Sequence, residues 1–246
     1  MKKIPVKVNL QESVNGKSNS RRQFLKVGSL AVVGTSLLLS CNNDDDNGMP
    51  DPDGVFDLGS GDLGILNYAY ALEQLEAAFY TSVLDGSYWM SASAEEKLIL
   101  EDLYKHEVIH REFFKAAITA AVNGDSSKVL PELEFDFSSV NFSDRGSVLG
   151  TAKVLEDTGV AAYNGAGTYI TTPDYLVIAG KIVSVEARHA AAIRSIYMDD
   201  PKAFAGDDVV DANGLDLAKP PSEILSAVGA TGFIKTEFTA NQLPED

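Results

Sequence analysis

The chain of 246 residues is poor in the side chains that most active sites draw on. It has one cysteine, Cys41, and three histidines, His106, His110 and His189. With no thiol after residue 41, the body of the chain has nothing to make disulfides, cysteine-based zinc sites or a cysteine nucleophile. Basic side chains are scarce as well: 20 Lys and Arg stand against 36 Asp and Glu. The first 41 residues hold seven of those bases and one of those acids, which leaves 13 basic and 35 acidic residues after them, a formal charge of −22. Such a surface repels a phosphate backbone, so no nucleic-acid partner is expected. A membrane-spanning helix needs about 20 apolar residues. The run Val27–Leu39 is too short, and too rich in Gly and Ser, to serve as one.

That run belongs to a leader. Ser20-Arg21-Arg22-Gln23-Phe24-Leu25-Lys26 matches the twin-arginine pattern along its whole length, and Leu38-Leu39-Ser40-Cys41 resembles a lipobox. Residues 1–41 are therefore expected to be a twin-arginine lipoprotein signal, with Cys41 the lipidated first residue of the mature protein. The protein is then expected in the cell envelope, outside the cytoplasmic membrane, periplasmic or surface-exposed, and held to the membrane through its N-terminal lipid alone. The twin-arginine route resembles one used for proteins exported already folded, often with a cofactor loaded. Residues 42–61 are dominated by Asn, Asp, Gly and Pro, with the run Asp44-Asp45-Asp46, and read as a flexible acidic tether.

From residue 62 the pattern turns helical. Leu66, Ala69, Leu72, Ala77 and Tyr80 approximate an apolar stripe over a first helix from about Asp62 to Leu84, and Glu73 interrupts it, four after Ala69 and seven before Tyr80. Glu76 lies one turn further on and partly shares that face. Ser93-Ala94-Glu95-Glu96 is a capping box, and a second helix runs from there to about Val122, with Glu107 and His110 on the stripe of Leu100, Leu103 and Phe114. A third helix, from about Ser143 to Asn164, carries Leu149, Ala152, Glu156, Val160 and Tyr163 on one face. A fourth opens with Pro173, at a position proline favours, and places Ile182, Glu186, His189 and Ile193 inward. The stretch of about Asp125 to Phe142 is too long for a tight turn, where about two to eight residues suffice, and long enough to cross the length of a helix. The expected fold is all-α: a four-helix bundle over residues 62–200 with one long crossover between helices two and three. Residues 201–246 read as a C-terminal extension, with a short helix at Pro221–Val228 and with Phe233, Ile234 and Phe238 packing back on the bundle.

The chemistry lies where the stripes are broken. Two of the three histidines stand three residues after a glutamate, as Glu107-x-x-His110 and Glu186-x-x-His189. With 15 Glu in the chain, that coincidence is expected on the order of one time in a hundred. On a helix the spacing puts carboxylate and imidazole on one face, one turn apart. Taken in order, the four helices offer Glu73, then Glu107 and His110, then Glu156, then Glu186 and His189. Four carboxylates balance two divalent cations, two of them can bridge, and one imidazole serves each ion. His106-Glu107-Val108-Ile109-His110 also matches the zinc-protease pattern. That reading leaves Glu73, Glu156, Glu186 and His189 without a role and lacks a third zinc ligand.

The stretches Ile65–Ala69, Leu72–Tyr80 and Leu155–Tyr163 resemble the bacterial ferritin-like domain family that includes desiccation-related proteins, within the larger group of rubrerythrin and bacterioferritin. The resemblance covers about residues 62–240. It implies a ferritin-like four-helix bundle whose metal ligands are Glu73, Glu107, His110, Glu156, Glu186 and His189. Two iron ions, two manganese ions or one of each would be bound, with O₂ or peroxide as reaction partner and a homodimer left open. Tyr80 and Tyr163 would stand near the site as hydrogen-bonding or oxidisable groups, with Glu76 and His106 beside it. The implied activity is oxidation of Fe(II) or consumption of peroxide; a structural, stress-protecting lipoprotein is the alternative. A rubredoxin-like cysteine set is missing, so electron delivery as in rubrerythrin is not expected.

Overall fold

The computed structural model describes residues 54–244. The expected leader, the lipidated Cys41 and most of the expected tether lie outside the described residues. The elements are β1 (Phe56–Asp57), α1 (Gly61–Asp85), α2 (Ser87–Ser91), α3 (Ala94–Ala121), α4 (Arg145–Ala166), α5 (Pro173–Tyr197), α6 (Pro221–Thr231) and β2 (Phe238–Thr239). The four long helices form the bundle. α1 packs chiefly on α3 and α4 chiefly on α5, while contacts of α1 with α4 and of α3 with α5 close the ring. Residues 122–144 make the one long crossover, between α3 and α4.

Local chemistry sets the helix starts. Ser93 Oγ accepts from Glu96 N at 3.2 Å, and the Glu96 carboxylate accepts from Ser93 N at 2.8 Å, so the capping box closes α3 from both sides. The same carboxylate takes Arg145 Nε at 2.6 Å and ties the start of α3 to the start of α4. Asp144 caps α4 through Ser147 N at 2.7 Å, one residue later than Ser143 suggests. Asp62 on α1 accepts from Thr171 N and Thr172 N, at 2.7 and 2.9 Å, just before Pro173 opens α5.

α1 is the centre of the molecule and is buried on nearly every side, from Ile65 to Val83. A helix covered all round needs apolar residues all round, and here Ile65, Leu66, Tyr70, Ala71, Leu75 and Tyr80, which point in different directions about the axis, supply them. Two buried amides on α1 hold the crossover against it. Asn67 donates to Lys128 O and accepts from Leu130 N at 3.0 Å; Gln74, two turns on, donates to Pro131 O and accepts from Leu133 N at 2.9 Å. The crossover thus runs along α1 with these four backbone groups satisfied.

The ends of the described residues differ in part from expectation. β1 pairs in parallel with β2, Phe56 opposite Phe238, and Leu58 is fully buried beside them. The tether expected to reach Gly61 therefore belongs to the fold from Phe56 onward, because Phe56 and Leu58 bring apolar surface into an otherwise polar stretch. Phe233 packs on Phe137 of the crossover with ring centroids 5.1 Å apart, and Ile234 bridges to Phe135. α6 runs three residues past Val228 and stops at Gly232, whose φ of +67° is the left-handed cap that glycine adopts without strain. Among the described residues no helix is long and apolar enough to cross a membrane.

Candidate metal centre

All six side chains expected as ligands meet at the centre of the bundle. Glu73 comes from α1, Glu107 and His110 from α3, Glu156 from α4, Glu186 and His189 from α5. The four carboxylates are fully buried. They form two groups whose ligand atoms lie within 4.8 Å of one another: Glu73, Glu107, His110 and Glu186 in one, Glu107, Glu156, Glu186 and His189 in the other. Glu107 and Glu186 belong to both, so the two groups share a wall of two carboxylates.

Individual atoms divide in the same way. His110 Nδ1 faces Glu186 Oε1 at 2.9 Å, Glu73 Oε2 at 3.4 Å and Glu107 Oε2 at 3.5 Å. His189 Nδ1 faces Glu107 Oε1 at 2.8 Å, Glu156 Oε2 at 3.4 Å and Glu186 Oε2 at 3.6 Å. These eight atoms are buried, and none has a hydrogen-bond partner, since the approaches are short but misdirected. Buried polar atoms without partners are costly and rare in native structures. Donors about 2.1 Å from one ion, at near right angles, stand about 3 Å apart, which is the spacing seen here. The set contributes two oxygens from each shared glutamate, one from each outer glutamate and one nitrogen from each histidine. It fits divalent cations of the oxygen- and imidazole-preferring kind.

The outer carboxylates are steered from across the bundle. Tyr80 and Tyr163 each lie seven residues, two turns, after the glutamate of their own helix. Each donates to the other one's glutamate. Tyr80 of α1 bonds Glu156 Oε1 at 2.5 Å, and Tyr163 of α4 bonds Glu73 Oε1. One oxygen of each outer glutamate is thereby held, and the other is left to face the centre. Burial and the neighbouring carboxylates push both phenols well above their usual range, so they remain donors.

Without metal the centre is held together by protons. Burial opposes the charged form of His110, but Glu73, Glu107 and Glu186 outweigh it and push its imidazole up to about 12; His189 is raised for the same reason, with Glu156 foremost. Burial and the charge of Glu186 raise Glu107 well above the usual carboxylate range, and burial raises Glu156 against the pull of His189. Glu186 goes the other way, since two imidazoles overcome its burial and bring it down to about 2. A cation entering this site displaces protons.

Two further groups touch the centre. Glu76 is buried, its Oε2 is unpartnered, and burial together with Glu107 and Glu186 raises it well above the normal carboxylate range. It is in neither four-residue group. Its space comes from Gly159, where a Cβ would stand 3.0 Å from Glu76 Oε1 and 3.7 Å from Glu186 Oε2. A glycine in mid-helix costs about 1 kcal/mol relative to alanine, which is the signal by which the sequence marks this spot. His106 is also outside both groups; its Nδ1 lies 2.9 Å from His189 Nε2. The zinc-protease arrangement needs His106 and His110 on one ion with Glu107 free as a base. Here Glu107 reaches both histidine ligand atoms, and His106 turns to the far side of His189, so the protease reading is set aside.

Residues 61–199 match the sequence profile of a family described as ferritin-like domain. The comparison with curated proteins gave no match.

Proposed function

The chain belongs to the ferritin-like domain family, and from that premise we propose that it binds a dinuclear iron or manganese centre and turns over O₂ or peroxide there. The observation that carries this reading is the set of eight buried, unpartnered donor atoms, four around each of two neighbouring positions. Glu107 and Glu186 would be shared by both positions; Glu73 and His110 would complete one, Glu156 and His189 the other. Two such ions would supply two electrons, which with two protons reduce one peroxide to two waters; further Fe(II), or a second peroxide oxidised to O₂ and two protons, would return those electrons. The chain's own part is to hold and shield. Tyr80 and Tyr163 orient the outer carboxylates, the bundle excludes bulk water, and Glu76 keeps a proton next to Glu107 and Glu186. We further propose export by the twin-arginine route and anchoring through a lipid on Cys41, supported by the patterns at Ser20–Lys26 and Leu38–Cys41. The 42–55 stretch would then space the bundle from the membrane.

Anaerobic titration of the metal-free protein with Fe(II) or Mn(II), followed by addition of peroxide, tests the reading. Saturation at two ions per chain and peroxide loss that requires both are expected. Saturation without any oxidation or peroxide loss would leave a metal-stabilised scaffold and remove the catalytic claim.

A further inference from the structure

The third histidine has no place among the ligands, yet it is bonded to one of them. His106 sits on α3 immediately before Glu107, and its Nδ1 lies 2.9 Å from Nε2 of His189 on α5. The two ring planes are within 10° of parallel and their centroids are 5.1 Å apart. That separation is filled by the 2.9 Å bond and the two ring radii, so the imidazoles meet edge to edge, nearly in one plane. This is the geometry of an in-plane N–H···N hydrogen bond. The nitrogen of His189 that faces the carboxylates is the other one, Nδ1. A neutral imidazole has one bare nitrogen and one N–H. Whatever accepts the N–H of a metal-binding histidine selects which nitrogen is bare and fixes the ring.

We propose that His106 is a positioning residue for the His189 half of the centre: its bare Nδ1 accepts the Nε2 hydrogen of His189 and thereby presents Nδ1 of His189 to the metal. The bond also ties α3 to α5, so the two Glu-x-x-His helices are cross-braced at the site. It makes the halves unequal. His189 has an imidazole behind it and a side chain 4% exposed, whereas that of His110 is 12% exposed. The ion held by Glu156 and His189 is the more tightly bound of the two. This inference rests on the dinuclear reading above.

The test uses the full chain and Co(II), whose visible absorption reports each site as it fills. In His106→Phe the ring volume stays and the acceptor goes. In His106→Asn, Oδ1 stands close to where Nδ1 stood and the acceptor returns. His106→Phe is expected to weaken one of the two ions by about 10- to 100-fold and leave the other, with His106→Asn recovering most of the loss. In the diamagnetic Zn(II)-loaded wild type, ¹⁵N chemical shifts of His189 should show the proton on Nε2. Wild-type binding of both ions in His106→Phe, equal weakening of both, absence of rescue by Asn, or a proton on Nδ1 overturns the inference. If the wild type takes up no pair of ions, the dinuclear reading itself fails, which is a separate result.

Discussion

Two clusters of buried charge lie in this bundle, and they are resolved in opposite ways. Arg194 on α5 is 1% exposed. All five of its N–H groups are bonded: Nε and Nη2 to Asp157 at 2.7 and 2.9 Å, Nη1 and Nη2 to Asp208 at 3.0 and 2.7 Å, and Nη1 to Ala203 O at 3.2 Å. The cluster is closed, and it fastens the segment after α5 to α4. The carboxylate–imidazole centre is deeper, and eight of its ligand atoms have no hydrogen-bond partner among the described residues. A buried charge whose bonds are all made is structure. One whose free atoms converge on shared points has the donor arrangement that a cation needs.

Breaking each cluster should therefore give different signatures. The largest effect is expected from Glu107→Ala or Glu186→Ala. Each removes a shared ligand and should abolish stoichiometric two-ion binding, measured by elemental analysis after reconstitution, with the helical fold kept by circular dichroism. Arg194→Ala should do the reverse. It leaves metal content at the wild-type value and lowers unfolding stability by about 3 kcal/mol, read in urea, because Asp157 and Asp208 lose the guanidinium that bonds both and keep only Lys153. Tyr80→Phe and Tyr163→Phe should weaken binding by about tenfold, each at the position whose outer glutamate it holds. Glu107→Gln resembles the protonated side chain that the metal-free centre already holds, so it should leave metal-free stability near the wild-type value at neutral pH while weakening metal binding.

The smallest expected effect is on pH dependence. Glu76, Glu107, Glu156, His110 and His189 all have raised folded-state values, so the folded metal-free chain binds more protons than the unfolded one. Their stabilisation is full below the unfolded values, 4.5 for the glutamates and 6.5 for the histidines, and is lost as pH rises through the folded ones, about 12 for His110. Glu186, lowered to about 2, has the opposite sign, and its contribution is lost as pH falls from 4.5. Metal-free melting temperature should thus decline from about pH 5 to about pH 8. Metal displaces those protons, so the gap between loaded and metal-free protein should widen over the same range. A metal-free melting temperature that rises across it would contradict the protonation pattern.

Much of this was legible in the sequence because the periodicities are long. Four helices of 22 to 28 residues give a stripe many turns to show itself, and Glu73, Glu107, Glu156 and Glu186 stand out as charges on apolar faces. The crossover was visible from its length. What escaped the pattern depends on contacts between distant segments. β1 and β2 are two residues each, too short for alternation to register. Asn67 and Gln74 look like ordinary surface amides until the crossover is laid against them. That Tyr80 holds Glu156 and Tyr163 holds Glu73, rather than each its own helix's glutamate, follows from how α1 and α4 face each other. Arg194 resembles any basic residue near a helix end, and its partner Asp208 lies 14 residues on in an irregular stretch.

The central claim is that the carboxylate–imidazole centre is filled by two redox-active ions. Elemental mass spectrometry of the full chain, purified without added metal, tests it most directly. Two iron, two manganese or one of each per chain is the predicted result. No metal, with none taken up on reconstitution, or a single zinc per chain, would contradict it.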